Sequence, residues 1–269
     1  MARADINGAE LNYELAGEGP AVALLHEGVC DLRMWDEVVE ALAPEFTVLR
    51  YDMRGYGDST LPPGPFSQSG DLLGLLDHVG IEQAALVGVS YGGRVALDTA
   101  FVAPDRVTCV VLAAAGLRDH EWSSVVREFG EQEERLVESG DLAAATDLNV
   151  RLWVDGPKRG ADPVREAVRE RVRTMQQRAF EIQEPAYAAS PSPGPEDPVN
   201  VRLEAIRAPA LVVVGDADVP DFRDIADRLE AELPDARKVV LADTAHTIPL
   251  ERPDEFRSLA LDFLREHAS

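Results

Sequence analysis

The chain has 269 residues and a formal net charge of −23, which comes from 49 acidic and 26 basic side chains. A surface with this charge repels phosphate backbones and anionic lipid, so we expect neither nucleic acid nor a membrane as a partner. Hydrophobic residues make up 45% of the sequence, enough to fill the core of one large α/β domain that carries an insertion.

Cysteine content and the N-terminal segment bear on the compartment. The two cysteines, Cys30 and Cys109, give neither a disulfide framework nor a metal-ligand pattern. The N-terminus lacks an apolar signal core, and no run of residues is long enough to span a bilayer. We therefore expect a cytoplasmic protein with no metal site.

The first part of the chain predicts strands that alternate with helices. Residues 2–16 predict a hairpin, because Asn7-Gly8 favours a tight turn. The elements that follow are strands at 21–26, 46–52, 84–89 and 107–115, and helices at 33–43, 71–81 and 92–101. Apolar strands without polar alternation are typical of a parallel sheet that helices cover on both faces.

The alternation stops in the middle of the chain. No buried strand is predicted from about Leu117 to Val199; charged helical patterns occupy 121–139, 141–154 and 162–183, and the proline-rich stretch 184–198 indicates an irregular connection. The alternation then resumes with strands at 210–215 and 236–242 and helices at 221–233 and 253–267.

These patterns predict an α/β fold with a doubly wound, mostly parallel eight-stranded sheet and a helical insertion. Residues 1–116 and 200–269 would form the core, and 117–199 the insertion. A separate helical linker domain is the alternative, but the strands on both sides of the insertion look like one interrupted sheet.

A serine stands between a strand and a helix in Gly88-Val89-Ser90-Tyr91-Gly92. A sharp strand-to-helix turn there would expose the hydroxyl at the carboxyl end of the sheet, where ligands bind in open parallel sheets. The residues two positions away must be small because the turning backbone brings them close to other segments, and both are glycine. A plain glycine-rich turn is the alternative interpretation.

A serine nucleophile needs a base, and the base needs an acid to orient it. Among the five histidines, His246 lies in the loop between the last strand and the last helix, at the same edge of the sheet as Ser90. Asp218 follows the strand 210–215 and is the predicted acid, with Asp216 as the second choice. The predicted catalytic residues are therefore Ser90, Asp218 and His246.

At this point the sequence resembles the α/β-hydrolase family over nearly all of its length outside the insertion. The resemblance rests on "LLHEG", "YDMRGYGDS", "GVSYGG", "GDAD" and "AHTIPLERP". It implies that the same serine, aspartate and histidine form a catalytic triad. It also implies that the insertion is a helical cap over the active site.

Acyl transfer through a serine needs donors for the oxyanion. The backbone N–H of Tyr91, which follows the nucleophile, is one predicted donor, and that of Gly28 the other, with Glu27 and Val29 as alternatives in a shifted register. Relatives usually carry His-Gly where this chain has His26-Glu27. A carboxylate would repel the oxyanion, so we expect Glu27 to point to solvent or to pair with an arginine. The other interpretation is that Glu27 borders the pocket.

The pocket itself is the least defined part of the prediction. Arg54 is expected to pair with Asp52 or Asp31 and to hold loops beside the site. The candidate pocket residues are His26, Glu27, Val29, Arg54, His120, Trp122 and Trp153.

Together these observations predict a serine hydrolase without a cofactor, a monomer or homodimer that cleaves a small-to-medium ester or lactone. The resemblance includes carboxylesterases and enol-lactonases. Alternatives are a carbon–carbon bond hydrolase of a diketone, a cofactor-free perhydrolase or acyltransferase, and a receptor that keeps the fold with little turnover.

Overall fold

The computed structural model describes residues 1–159, 166–189 and 201–268. Within these ranges the strands are β1 (Ala2–Ile6), β2 (Ala9–Ala16), β3 (Ala21–Leu25), β4 (Thr47–Tyr51), β5 (Ala84–Val89), β6 (Val107–Ala113), β7 (Ala210–Gly215) and β8 (Ala236–Leu241). They form one eight-stranded sheet of the described residues, in the order β1-β2-β4-β3-β5-β6-β7-β8. β1 and β2 are antiparallel to their neighbours and the other pairs are parallel, so the predicted sheet is confirmed.

The helices of the described residues are α1 (Asp36–Leu42), α2 (Gln68–His78), α3 (Tyr91–Val102), α4 (Ser124–Glu138), α5 (Leu142–Asn149), α6 (Glu166–Ala189), α7 (Pro220–Glu232), α8 (Ile248–Glu251) and α9 (Pro253–His267). A π-helical segment, Val150–Asp155, continues α5. None of the described helices is both long and apolar enough to cross a membrane.

The N-terminal hairpin follows from its turn residues. Asn7 and Gly8 have φ of 48° and 82°, and Ile6 pairs with Ala9 across the turn. Positive φ at both central residues is the two-residue turn that matches the twist of the strands, and Asn-Gly adopts it readily.

The core surrounds the central strands. All six residues of β5 are buried, so both faces of that strand are covered. α3 and α9 both pack against β5, α1 packs on α9, and α2 packs on α3. The apolar run that predicts this strand is therefore the signature of burial on two sides.

The sheet has a change of strand order at its centre. β3 lies between β4 and β5, so the chain leaves β3 toward one side and returns on the other. A crevice opens outside the carboxyl ends of the strands at such a switch point, and it is the usual ligand site of open α/β sheets. Loops 26–31 and 90–91 begin at this edge.

The helical insertion between β6 and β7 contains α4, α5 and α6, and one of its details differs from the prediction. α6 runs to Ala189 and passes through Pro185, whereas the sequence predicts an irregular connection from 184. The predicted helical residues 162–165 and the remaining predicted connection, 190–198, lie outside the described residues.

Candidate active site

Ser90 lies where β5 turns into α3, and its backbone is strained. Its φ of 52° and ψ of −109° are values that residues with a side chain rarely adopt, at a cost of about 1–3 kcal/mol. The amide of Ser90 donates to the carbonyl of Ala113 at 2.9 Å, and its carbonyl accepts from the amide of Gly116 at 3.1 Å. These bonds hold the serine in a turn that presents its side chain at the sheet edge.

The two glycines beside Ser90 are required by close backbone approach. A Cβ atom on Gly88 would lie 2.4 Å from the carbonyl oxygen of Gly92, and one on Gly92 would lie 2.1 Å from that of Leu25. Both distances are too short for a methyl group. The contacting atoms belong to the backbone, so they cannot move aside as a flexible side chain could. The geometry is that of a nucleophile elbow rather than of an unconstrained glycine turn.

His246 and Asp218 form a buried pair at the same edge. His246 Nδ1 lies 2.9 Å from Asp218 Oδ2, and the side chains are 3% and 0% exposed. Asp216, the other candidate acid, is exposed and accepts from the amide of Asp243 at 2.7 Å. Asp218 is therefore the carboxylate that orients the imidazole.

The environment of His246 changes its pKa. Burial disfavours the imidazolium, but the charge and hydrogen bond of Asp218, with the charge of Glu27, outweigh burial and raise the pKa of His246 above its ordinary value. An imidazole with a raised pKa is a stronger base for a hydroxyl proton, as long as the pH is high enough to keep the imidazole neutral.

Aromatic rings from the insertion and from α7 pack on the imidazole. The rings of Trp153 and Phe222 lie 4.8 and 4.3 Å from that of His246, centroid to centroid. The amide of His246 also donates to the carbonyl of Trp153 at 3.2 Å. The π-helical segment thus contacts the base directly, in both backbone and side chain.

Ser90 and His246 line one cavity of about 260 Å³, to which core and insertion contribute equally. The core residues of its described lining are Glu27, Gly28, Val29, Tyr56, Ser90, Tyr91 and His246. The insertion residues are Phe129, Glu133, Asn149, Trp153, Gln176, Phe180 and Gln183. Among the described contacts no hydrogen bond joins Ser90 Oγ to His246; in unliganded enzymes this bond is often long and tightens with substrate.

Two backbone amides are suitably placed to bind an oxyanion. Tyr91 is the first residue of α3, so its N–H lies in the first turn, at the N-terminal end of the helix. Gly28 lies in a turn closed by a 3.1 Å bond from the Cys30 amide to the Glu27 carbonyl. A Cβ on Gly28 would be 3.8 Å from the Cβ of Tyr91, which places the two segments side by side.

Glu27 does not have the surroundings that the sequence predicts. It is neither solvated nor paired with an arginine: it is 0% exposed, and Cys30 Sγ donates to its Oε1 at 3.1 Å. Its Oε2 has no hydrogen-bond partner among the described residues. The expectation is wrong because Glu27 lies at a cavity that it shares with residues from distant parts of the chain, such as Trp153 and His246, which a local pattern cannot reveal. Burial raises the pKa of the Glu27 carboxyl, and the charge of His246 partly opposes this.

Glu27, Val29 and Trp153 line the cavity, whereas His26, Arg54, His120 and Trp122 are not among its described lining. His26 is fully buried; its Nε2 accepts from the amide of Met53 at 2.9 Å, and its Nδ1 donates to the Glu27 carbonyl at 2.8 Å. Burial lowers the pKa of His26, which favours this neutral form. Its role is to hold the loop.

The other residues outside the cavity also have structural contacts. Arg54 pairs with Asp71 at 2.7 Å, whereas the sequence predicts a pair with Asp52 or Asp31. His120 contacts Asp221 at 3.2 Å, and Trp122 packs on Phe222 with ring centroids 5.6 Å apart.

Sequence reasoning missed most of the insertion side of the cavity. Phe129 and Glu133 are four residues apart on α4, and Gln176, Phe180 and Gln183 are spaced by four and three on α6. Such spacing places each set on one helix face. This spacing is visible in the sequence. It identifies lining residues only when one residue on each of the two helix faces is known to point into the cavity.

A second cavity of about 680 Å³ lies between core and insertion, and it is larger. Asp31, Asp52, Asp147, Arg173 and Arg178 are among its lining, but neither Ser90 nor His246 is. We assign the chemistry to the smaller cavity because the candidate nucleophile and base both face it.

The fold and these residues define an α/β hydrolase, and comparison with known proteins gives the same class. Residues 20–253 match the model of the alpha/beta hydrolase fold, so the chain belongs to that family.

Three relatives illustrate the range of that family. The structure of an enol-lactonase from Burkholderia xenovorans is similar, with a TM-score of 0.80, 28% identity, and coverage of 98% of this chain and 100% of that one. A thermophilic esterase from Thermogutta terrifontis has a TM-score of 0.80, 25% identity and 99% coverage of both chains. In sequence, the 2-hydroxy-6-oxo-6-phenylhexa-2,4-dienoate hydrolase of Comamonas testosteroni is 26% identical over 99% of this chain and 95% of its own.

Proposed function

We propose that the protein is a serine hydrolase that cleaves small-to-medium carboxylic esters or lactones through an acyl-enzyme on Ser90. The observation that carries this proposal is the strained turn that holds Ser90 in the same cavity as His246, whose imidazole is paired with Asp218 at 2.9 Å. The enol-lactonase and esterase relatives support the ester and lactone class. The cavity of about 260 Å³ suits a small molecule.

Acylation begins when Ser90 Oγ attacks the substrate carbonyl carbon and His246 Nε2 accepts the hydroxyl proton. The carbonyl π electrons move to oxygen, and the N–H groups of Tyr91 and Gly28 stabilise that oxyanion. When the intermediate collapses, the bond from carbon to the leaving oxygen breaks and His246 returns the proton to that oxygen. Asp218 keeps Nδ1 protonated, so that Nε2 is free to accept.

Deacylation repeats these steps with water as the nucleophile. His246 takes a proton from water, the hydroxide oxygen bonds to the acyl carbon, and the collapse restores Ser90 with its proton. The product is a carboxylic acid, or a hydroxy acid when the substrate is a lactone. We also propose that residues 117–199 act as a cap, because α4, α5, α6 and the π-helical segment supply half of the described lining.

The experiment that tests this proposal is labelling with a fluorophosphonate, followed by peptide mapping and by an assay on p-nitrophenyl pentanoate. We expect a single adduct on Ser90, loss of labelling in Ser90→Ala and His246→Ala, and ester turnover by the untreated native protein that labelling abolishes. A folded protein that neither labels nor turns over the ester would favour the receptor alternative. A diketone that is cleaved faster than esters and lactones would favour a carbon–carbon bond hydrolase.

A further inference from the structure

Several polar side chains face the cavity and have no part in the proposed acyl transfer, and three of them bear on what the cavity binds. Glu27 is fully buried and its Oε2 has no hydrogen-bond partner among the described residues. Gln176 is 4% exposed, and its Oε1 is likewise without a partner there. Glu133 is partly buried and accepts from Asn149 Nδ2. A buried acceptor without a donor is unfavourable, so each unpaired oxygen would gain from a ligand that supplies a donor or a positive charge.

The charges of the lining are of one sign. Two carboxyl groups, Glu27 and Glu133, face the cavity, whereas no lysine or arginine is found among its described lining residues. Burial raises the pKa of both carboxyls, although the charge of His246 partly opposes this at Glu27. A bound cation would lower both pKa values and favour the carboxylate forms, and the net charge of −23 attracts cations from solution.

The apolar part of the lining is mostly aromatic. Tyr56 and Tyr91 come from the core, and Phe129, Trp153 and Phe180 come from the insertion. The rings of Phe129 and Trp153 lie 5.2 Å apart, and those of Tyr56 and Tyr91 lie 6.3 Å apart, so aromatic surfaces occupy two walls. The faces of aromatic rings attract alkylammonium groups.

We propose that this cavity recognises an alkylammonium group, and that the substrate is an ester or lactone bearing such a cation. The proposal rests on the proposed function and names its substrate class. Glu27 and Glu133 supply the counter-charge, the aromatic rings surround the apolar part of the cation, and Gln176 accepts from any N–H. A substrate carboxylate, such as that of the dienoate in the name of the Comamonas testosteroni relative, would instead add a third acidic group to the cavity.

The test compares esters that differ in charge and not in shape. The p-nitrophenyl esters of 4-(trimethylammonio)butyrate and 5,5-dimethylhexanoate form one pair, and those of 6-aminohexanoate and heptanoate form a second. The first cation is quaternary and the second has N–H donors. We expect kcat/KM to favour at least one cationic ester over its neutral isostere by about tenfold or more. The p-nitrophenyl half-ester of adipate should be the poorest substrate.

Substitutions then assign the preference to residues. In Glu27→Gln the ratio of cationic to neutral kcat/KM should fall about tenfold, and in Glu133→Gln about threefold, since each change removes a charge and keeps the shape. The matched control is Glu134→Gln, on the exposed side of the same helix, which should leave the ratio within about twofold. A ratio near one in the native protein, or a high ratio that survives both lining substitutions, would overturn the proposal.

A binding measurement separates this proposal from the assignment of the reaction. Calorimetry on Ser90→Ala, with the ethyl esters of the first pair, reports affinity without turnover. The cationic ester should bind about tenfold more tightly than its isostere, and the difference should shrink in Ser90→Ala combined with Glu27→Gln. If the fluorophosphonate does not label Ser90 but the cation still binds, only the hydrolase assignment fails. If Ser90 labels and neutral esters turn over without any preference for the cation, only the ammonium site fails.

Discussion

The two walls of the cavity differ in how firmly their residues are held. On the core side, the strand before Ser90 is buried at every position, and the pair His246–Asp218 is nearly inaccessible to solvent. On the insertion side, none of the 15 residues of α4 is buried, whereas α6 places Val172 and Met175 in the core and adds polar contacts such as Arg178 Nε to the carbonyl of Gly57 at 3.1 Å. The difference suggests a division of labour, in which the core wall performs the chemistry and the insertion wall selects the substrate.

The largest effect should come from the nucleophile. Ser90→Ala should lower kcat on a neutral ester by about 10⁶-fold, because no acyl-enzyme can form. Circular dichroism and a denaturant titration should show a folded chain. The matched change on the insertion wall is Ser124→Ala, an exposed serine of α4, which should leave kcat and KM as they are. Residual burst kinetics in Ser90→Ala would contradict the assignment.

The next effect concerns Asp218, the carboxylate that pairs with His246 on the core side. Asp218→Asn should lower kcat by about 10⁴-fold, because the imidazole loses the partner that fixes its tautomer. In the native protein, activity should fall as the pH drops through the raised pKa of His246, since the protonated imidazole cannot act as a base. Without the charge of Asp218 that pKa decreases, so the acid limb of kcat/KM should move to lower pH. Asp216→Asn should change neither the rate nor the limb.

Two glycine substitutions compare the packing of the walls. Gly92→Ala places a methyl group against the backbone of Leu25 and should destabilise the protein by about 1–3 kcal/mol or more. Gly130→Ala, in the interior of α4, has no atom within 4 Å of the new Cβ and should stabilise it by about 0.5–1 kcal/mol. Urea denaturation of both variants measures the contrast. Equal losses of stability would show that the insertion is packed as tightly as the core.

The smallest effect should come from the contact between α6 of the insertion and the core. Arg178→Met removes the hydrogen bond to Gly57 but keeps most of the side-chain length. We expect the free energy of unfolding to change by less than about 1 kcal/mol, with a rise in KM and an unchanged kcat. Arg135→Met, at an exposed site of α4, should leave KM unchanged. A fall in kcat in Arg178→Met would mean that the insertion also shapes the reacting groups.

The sequence predicts the core well because its signals are local. Unalternated apolar runs give β5 and β7 their bounds, and the residues around Ser90 predict the turn that the structure contains. β6 ends two residues earlier than predicted, because Ala114 turns to a φ of 42°. Ala114 is apolar like its neighbours, so composition alone could not locate that end.

The parts that the sequence could not predict depend on contacts between distant segments. The burial of Glu27 and the pairing of Arg54 with Asp71 are set by tertiary packing, and nothing near either residue indicates them. α6 continues through Pro185, although proline usually ends a helix, and its anchor at Gln183 is the carbonyl of Gly55, 128 residues away in the chain. Helix and strand propensities are properties of a local segment, so they carry no information about contacts with distant segments.

The conformation of Ser90 has a consequence for anyone who selects more robust versions of this protein. A residue held at positive φ stores free energy that a glycine at the same position would release. Heat tolerance and turnover therefore favour different residues at this point in the chain. Selecting variants from a library by melting temperature alone would enrich inactive variants, so each round of selection also needs an activity screen.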